Sequence, residues 1–291
     1  SVERVVSVIR GTPKEEVAPK LAVRPGTASS KQPARQLVAP GPYASDAELV
    51  NSGWPWRGSL TFEGVRMRYR DDLPYVLEDV TFEVQHGERI GIVGRTGSGK
   101  SSIFNALLGF AEMENGTIKI DGIDVRSIHR STLRNAVSII PQEPVLFSGT
   151  VRQNLDPLRQ FTDERLWQAL EKAKLEPTIR GMKGGLDARV NSGGMSLSTG
   201  QRQLMCLARA LLRRTRILLL DEVTAAIDPD TEMLVQKTIR EEFAGCTILA
   251  VAHRLHTILD SDKVIVLDAG KLVEFAPPLS LLRSRDSVFS Q

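Results

Sequence analysis

Apolar residues change their spacing several times along the chain, and each change marks an element. Over residues 1–10, Val2, Val5, Val6 and Ile9 recur at helical spacing, which predicts the end of an amphipathic helix. The periodicity then stops. Residues 11–53 are rich in Pro, Ala, Gly, Ser and Lys and predict a flexible tether, with structure resuming at Trp54. Positions 60–69 alternate as in a strand, and so do 80–84. Residues 89–93 read as a short buried strand running into a Gly-rich turn and then a helix from about Ser101. Further strands are predicted at 117–120 and 137–140. From about residue 155 the pattern becomes helical and polar, and over 198–212 it gains an apolar stripe of Leu204, Leu207, Ala208 and Leu211. Residues 217–220, 247–252 and 264–267 are continuous apolar runs. Apolar strands alternating with helices predict an α/β fold, with a parallel sheet covered on both faces. No apolar run reaches the roughly 18 residues that a membrane span needs.

Composition changes this picture little. The 291 residues are 41% hydrophobic and 25% charged, as expected for one large domain with an appendage. The start, Ser1-Val2-Glu3-Arg4, lacks the features of a signal peptide, and a first residue other than Met reads as an excised piece of a longer protein. Charge is unevenly placed. Residues 1–42 hold seven Lys/Arg against three Glu, whereas the remainder holds 31 against 32. The main domain therefore lacks the basic footprint of a nucleic-acid binder, and no nucleic-acid partner is expected. Cys206 and Cys246 form neither a CxxC nor a zinc spacing; buried thiols in a reducing compartment are the expectation.

Gly94, Arg95, Thr96, Gly97, Ser98, Gly99, Lys100 and Ser101 fit GxxxxGK[ST], after a buried strand and before a helix, which is the context a phosphate loop requires. Glycines let backbone N–H groups turn inward around phosphate oxygens, and the helix N-terminus favours negative charge. Lys100 should reach the β- and γ-phosphates, the Ser101 hydroxyl should ligate Mg²⁺, and Ser102 should support the α-phosphate. GTPases would add an NKxD guanine reader, and the chain has none. The run 217–220 ends in Asp221 and Glu222. Asp221 is placed to hold Mg²⁺ across from the loop, and Glu222 to orient or deprotonate the attacking water.

Leu197-Ser198-Thr199-Gly200-Gln201, directly before a helix, resembles the LSGGQ signature of ATP-binding-cassette (ABC) proteins. Gln142 then resembles the Q-loop, Asp228 in Ala225-Ala-Ile-Asp228 the D-loop, and His253 the switch histidine. The similarity covers about residues 58–285. Pro144-Val-Leu-Phe-Ser-Gly149, Asn154-Leu-Asp-Pro157 and Cys206-Leu-Ala-Arg-Ala-Leu-Leu-Arg213 resemble the C subfamily, the multidrug-resistance-associated and sulfonylurea-receptor group, in its second, C-terminal nucleotide-binding domain. The resemblance implies a P-loop NTPase of the ABC type over residues 54–291. Such a domain has a mixed-sheet core, an antiparallel β subdomain and a helical signature subdomain at about 155–212. Residues 1–10 would then end a helix leaving the transmembrane domain.

The resemblance also implies roles. Tyr69 would stack on adenine, with Tyr75 as the competitor for that place. Gln142 would touch Mg²⁺ or water and sense the transmembrane domains, and His253 would contact the γ-phosphate. Ser198, Thr199, Gly200, Gln201 and Asp228 would act in trans, on a site held by the first nucleotide-binding domain of the same polypeptide. Thr199 departs from the signature's glycine, and a β-branched residue restricts close approach. The site that this signature completes is therefore expected to be weak, and the site built on this chain's loop and Glu222 competent. ATP and Mg²⁺ are the implied cofactors, in a cytosolic domain of an integral membrane protein of the plasma membrane or a vesicle or vacuole. Export of organic anions or thiol conjugates is the implied function, and nucleotide sensing for a channel the alternative.

Overall fold

The computed structural model describes residues 45–191, 194, 197–223, 228–252, 255–284 and 287–290. The expected helix end at 1–10 and most of the tether lie outside these residues, as does His253. Structure begins earlier than Trp54, with helix α1 (Asp46–Asn51) inside the stretch expected to be tether. Ser45 caps it in a reciprocal capping box with Glu48. Leu49 and Trp54 are buried, and the Trp54 indole N–H donates to the Ile120 carbonyl at 3.3 Å.

Two sheets follow. β1 (Leu60–Met67), β2 (Leu77–Val84), β4 (Met113–Ile120) and β5 (Ile123–Asp124) form an antiparallel sheet in the order β2-β1-β4-β5. The alternation read from sequence is its cause. Leu60, Phe62, Val65 and Met67 face inward from β1, and Phe62 stacks on its cross-strand partner Phe82 with ring centroids 4.3 Å apart.

The second sheet runs β12-β11-β3-β10-β9-β6. It comprises β3 (Arg89–Gly94), β6 (Val137–Ile140), β9 (Ile217–Asp221), β10 (Thr247–Val251), β11 (Lys263–Asp268) and β12 (Lys271–Ala276). All pairs are parallel except β11 with β12, so the sheet is mixed. Its central strands are apolar over their middles, polar residues falling only at their ends, because both faces are covered. Ile217 and Leu219 enter the core shared with the antiparallel sheet, and Leu218 and Leu220 enter the core beneath the helices.

Helix α2 (Lys100–Leu107) follows β3, and α3 (Arg130–Ala136) precedes β6. A helical layer then holds α4 (Val151–Leu155), α5 (Asp163–Lys172), α6 (Glu176–Gly181) and α7 (Thr199–Arg213), with β7 (Gly149–Thr150) and β8 (Arg189–Val190) as a small ribbon. α8 (Pro229–Glu242), α9 (Leu255–Leu259) and α10 (Pro278–Arg283) complete the chain. α7 is buried over more than the stripe read from sequence. Met205, Cys206 and Ala210 are buried and Leu211 is only half-buried, because α7 is wedged between α5 and β6. Both cysteines are free, and burial raises both thiols.

Asp121 fastens the start of the domain. In the left-handed region at φ 49°, it accepts from the N–H groups of Arg57, Gly58 and Ser59 at 2.8–3.1 Å and from the Ser59 hydroxyl at 3.0 Å. Burial alone would raise its carboxyl, but these donors outweigh burial and hold it below the ordinary value. A depressed folded value stabilises the protein at neutral pH and loses that contribution as pH falls through it. Asn tolerates the same backbone region but cannot accept with two oxygens. Asp121→Asn should lower unfolding stability by about 2 kcal/mol at pH 7, and the gap to wild type should narrow below about pH 4. Urea unfolding at both pH values checks this.

Candidate nucleotide site

The phosphate loop leaves β3 at Gly94 and enters α2 at Lys100. Two glycines are required by space and backbone conformation together. A Cβ at Gly94 (φ 152°) would lie 2.3 Å from the Leu267 carbonyl oxygen, and one at Gly99 (φ 100°) would lie 2.4 Å from that of Val76. The Lys100 ammonium donates to the carbonyls of Gly94 at 2.9 Å and Arg95 at 3.1 Å, and it has no ion pair among the described residues. Ser98 Oγ is buried inside the loop without a partner there. A cation held among carbonyls, an orphaned hydroxyl and an eight-residue helix N-terminus together fit a phosphate chain.

Sheet register builds the second half of the site. β6 and β9 pair in parallel up to Ile140 with Leu220, so two residues further on Gln142 faces Glu222. Gln142 Nε2 donates to Glu222 Oε2 at 2.8 Å. Asp221, paired with Val251 on β10, accepts from the Ser101 hydroxyl at 3.2 Å. No cluster of three His, Cys, Asp or Glu suited to a metal occurs among the described residues. Mg²⁺ does not need one, because it is commonly held by one or two protein oxygens with phosphate and water, and Ser101, Asp221 and Gln142 offer oxygens of that kind. Glu222 itself is left-handed at φ 46°, a strained state for a residue with a side chain.

The two tyrosines separate. The Tyr69 hydroxyl lies 3.1 Å from Ser102 Oγ and accepts from Asn105 Nδ2 at 2.8 Å, which places its half-exposed ring beside the loop helix. Tyr75 donates to Glu114 at 2.8 Å, and the guanidinium groups of Arg66 and Arg68 each lie 5.3 Å from its ring centroid. Its ring is already committed to protein cations. Asn105 carried no signal in the sequence.

The signature turn starts α7. Ser198 is the N-cap, joined to Gln201 by a reciprocal capping box at 3.1 and 2.9 Å. Thr199 is the first helical residue and has no positive φ, so this chain's own backbone does not demand a glycine there. Its hydroxyl accepts from Arg202 at 3.1 Å, and Arg202 also donates to the Leu197 carbonyl at 2.9 Å. Gly200 is buried against α8, where a Cβ would meet the Thr231 methyl at 2.9 Å. Asp228 caps α8 by accepting from the Thr231 N–H at 2.9 Å, and the N–H and hydroxyl of Thr231 hold its carboxyl below the ordinary value. Among the described residues no hydrogen bond joins residues 197–201 to the phosphate loop. Sequence reasoning also passed over Gln203, two residues beyond the turn and almost wholly buried.

A family model described as "ABC transporter" matches residues 77–225. The chain is 51% identical over 248 residues, 85% of its length, to ATP-binding cassette sub-family C member 2 of Rattus norvegicus. It is 50% identical over 250 residues to multidrug resistance protein mrp-7 of Caenorhabditis elegans. It spans 16% of the length of each of these relatives. Among solved structures, that of a bacterial Atm1-family ABC exporter with ATP bound matches with a TM-score of 0.75 and 38% identity, covering 81% of this chain and 41% of the other.

Proposed function

Because the chain belongs to the ABC transporter family, we propose that it is the ATP-hydrolysing cassette of a C-subfamily exporter, and that it supplies half of a composite site. The observation that carries this reading is the convergence of two contacts at adjacent strand ends, Ser101 with Asp221 and Gln142 with Glu222. Lys100 and the loop N–H groups bind the phosphates of ATP, and the Tyr69 ring lies against the base. Ser101, Asp221 and Gln142 would hold Mg²⁺, which supplies charge neutralisation at the phosphates when bound. Glu222 orients water and takes its proton at a carboxylate oxygen, with Gln142 steadying the carboxylate. His253 contacts the γ-phosphate.

Among the described residues no hydrogen bond joins the signature turn to this chain's phosphate loop, as action in trans would require. Its N-terminal dipole and the Ser198 hydroxyl would face a nucleotide held by another cassette, the first one of the same polypeptide. Thr199 adds a β-branched side chain to that approach, so the partner's site is the weaker one. Asp228 lies at the interface between the cassettes. The position of this chain as the second, C-terminal cassette and the export of organic anions or thiol conjugates belong to the same proposal.

The transmembrane domains would dock near the Q-loop. Val145 and Phe147, just past Gln142, are exposed apolar side chains, as is Phe110. Val145 and Phe147 are tied to the signature helix: Arg209 donates to the Val145 carbonyl and to Asn154 Oδ1, both at 2.9 Å, and Asn154 Oδ1 accepts from the Phe147 N–H at 2.9 Å. Among the described residues no helix is long and apolar enough to cross a membrane.

The purified chain should bind ATP–Mg²⁺ and hydrolyse it slowly, with a rate per chain that rises with protein concentration as composite sites form. Steady-state ATPase assays over a concentration series check this. Fast, concentration-independent turnover would mean that one chain holds a complete site.

A further inference from the structure

Gln203 lies on α7, five residues beyond the Ser198 cap, and is 1% exposed. Its amide nitrogen donates to the carbonyl of Pro141 at 3.2 Å and to that of Val223 at 3.0 Å. Carbonyls only accept, so the nitrogen and not the oxygen must face them. Oε1 is left on the other side, buried and without a donor among the described residues. A Met or Leu of similar volume would fill this space with no orphaned oxygen. Packing alone therefore does not account for an amide here, whereas its two donated bonds do.

The carbonyls concerned are informative. Pro141 immediately precedes Gln142, and Val223 immediately follows Glu222. Regular pairing of β6 with β9 ends at Ile140 and Leu220, and Pro141 has no N–H with which to extend the ladder. Beyond that point the sheet no longer fixes the spacing of the two chains, and Glu222 enters a left-handed conformation. Gln203 replaces the missing ladder with a side chain that bridges both backbones. The 2.8 Å bond between Gln142 and Glu222 lies between its two anchor points in sequence. The bridging residue also sits on the helix that begins with the signature turn, so a shift of that turn carries Gln203 with it.

We propose that Gln203 is a positioning residue that couples the signature turn at the start of α7 to the spacing of Gln142 and Glu222 in this chain's own hydrolytic centre. The inference rests on the reading of Glu222 as the residue that activates water. It gives the chain a route by which engagement of its signature by a partner cassette is felt at its own site.

The test uses the full-length protein in lipid bilayers. Gln203→Met should lower kcat for ATP about ten-fold while KM stays within about two-fold and the unfolding midpoint within a few degrees. A purely structural role would instead lower the midpoint and disturb KM together. Gln203→Glu gives a second, independent readout. Its buried carboxylate is repelled by the two carbonyls, and protonation restores one donor. Its kcat relative to wild type should rise as pH is lowered from about 8.5 to about 6. Wild-type kcat in Gln203→Met overturns the proposal. If that variant does not fold, a ratio for Gln203→Glu that fails to rise with falling pH overturns it. Glu222→Gln, measured alongside, separates the two levels. Turnover surviving in Glu222→Gln removes the base assignment on which the proposal stands. Loss there combined with wild-type kcat in Gln203→Met removes the coupling alone.

Discussion

Replacing Glu222 by Gln should lower ATP turnover of the full-length protein by about 10³-fold while ATP affinity stays within about two-fold. The substitution keeps the length and shape of the side chain. It also keeps an oxygen that can accept from Gln142 Nε2, now 2.8 Å from Glu222 Oε2. What it removes is the ability to take a proton, because an amide oxygen is a far weaker base than a carboxylate. In the proposed reading phosphate binding is built elsewhere, at Lys100 and the loop, so binding and turnover should separate. Equilibrium ATP binding and single-turnover hydrolysis measure the two. Retention of a tenth or more of wild-type turnover would mean that another group activates the water.

Gly99→Ala should abolish nucleotide binding through geometry rather than chemistry. Gly99 caps α2 at φ 100°, and an added Cβ would lie 2.4 Å from the Val76 carbonyl oxygen and 3.2 Å from a Leu77 methyl. The first contact is with backbone just ahead of β2 and cannot be relieved by a rotamer change. Backbone strain and the clash together cost on the order of 3 kcal/mol, and any relief must move the loop or β2. The expected result is a lower unfolding midpoint and loss of the stabilisation that ATP–Mg²⁺ gives the wild-type protein. Thermal unfolding with and without nucleotide reads both effects. A Gly99→Ala variant that ATP stabilises as well as wild type would refute the argument.

These arguments differ in how much of them could be read in advance. The strands were legible because burial on one face or two leaves alternating or continuous apolar runs, as in 60–67 and 217–220. The phosphate loop and the Asp221–Glu222 pair were legible because their residue types are demanded by local backbone and charge. The helix α1 carried its signal in Ser45 and Glu48, a capping-box spacing, but the Pro- and Ser-rich surroundings masked it. The burial of α7 on nearly all sides was not legible, since a stripe in sequence reports only the face that is apolar and not the neighbours that cover the rest. The left-handed backbone of Glu222 and the bridging role of Gln203 were also hidden. Both arise from where β6 and β9 stop pairing, which is a property of two segments far apart in sequence. Register likewise brought Gln142 to Glu222, a contact across 80 positions that nothing in the local sequence of either residue announces.

The parallel ladder between β6 and β9 has a consequence for how chains of this kind can change length. The offset that sets Gln142 opposite Glu222 is counted from paired residues within the two strands, and the polypeptide between them does not enter it. Insertions or deletions in the loops of the helical layer would renumber the chain without misaligning the two side chains. One residue gained or lost inside either strand would slide the ladder and turn one of the two side chains to the opposite face. Length variation is therefore open to the loops of the helical layer and closed to two strands of four and five residues.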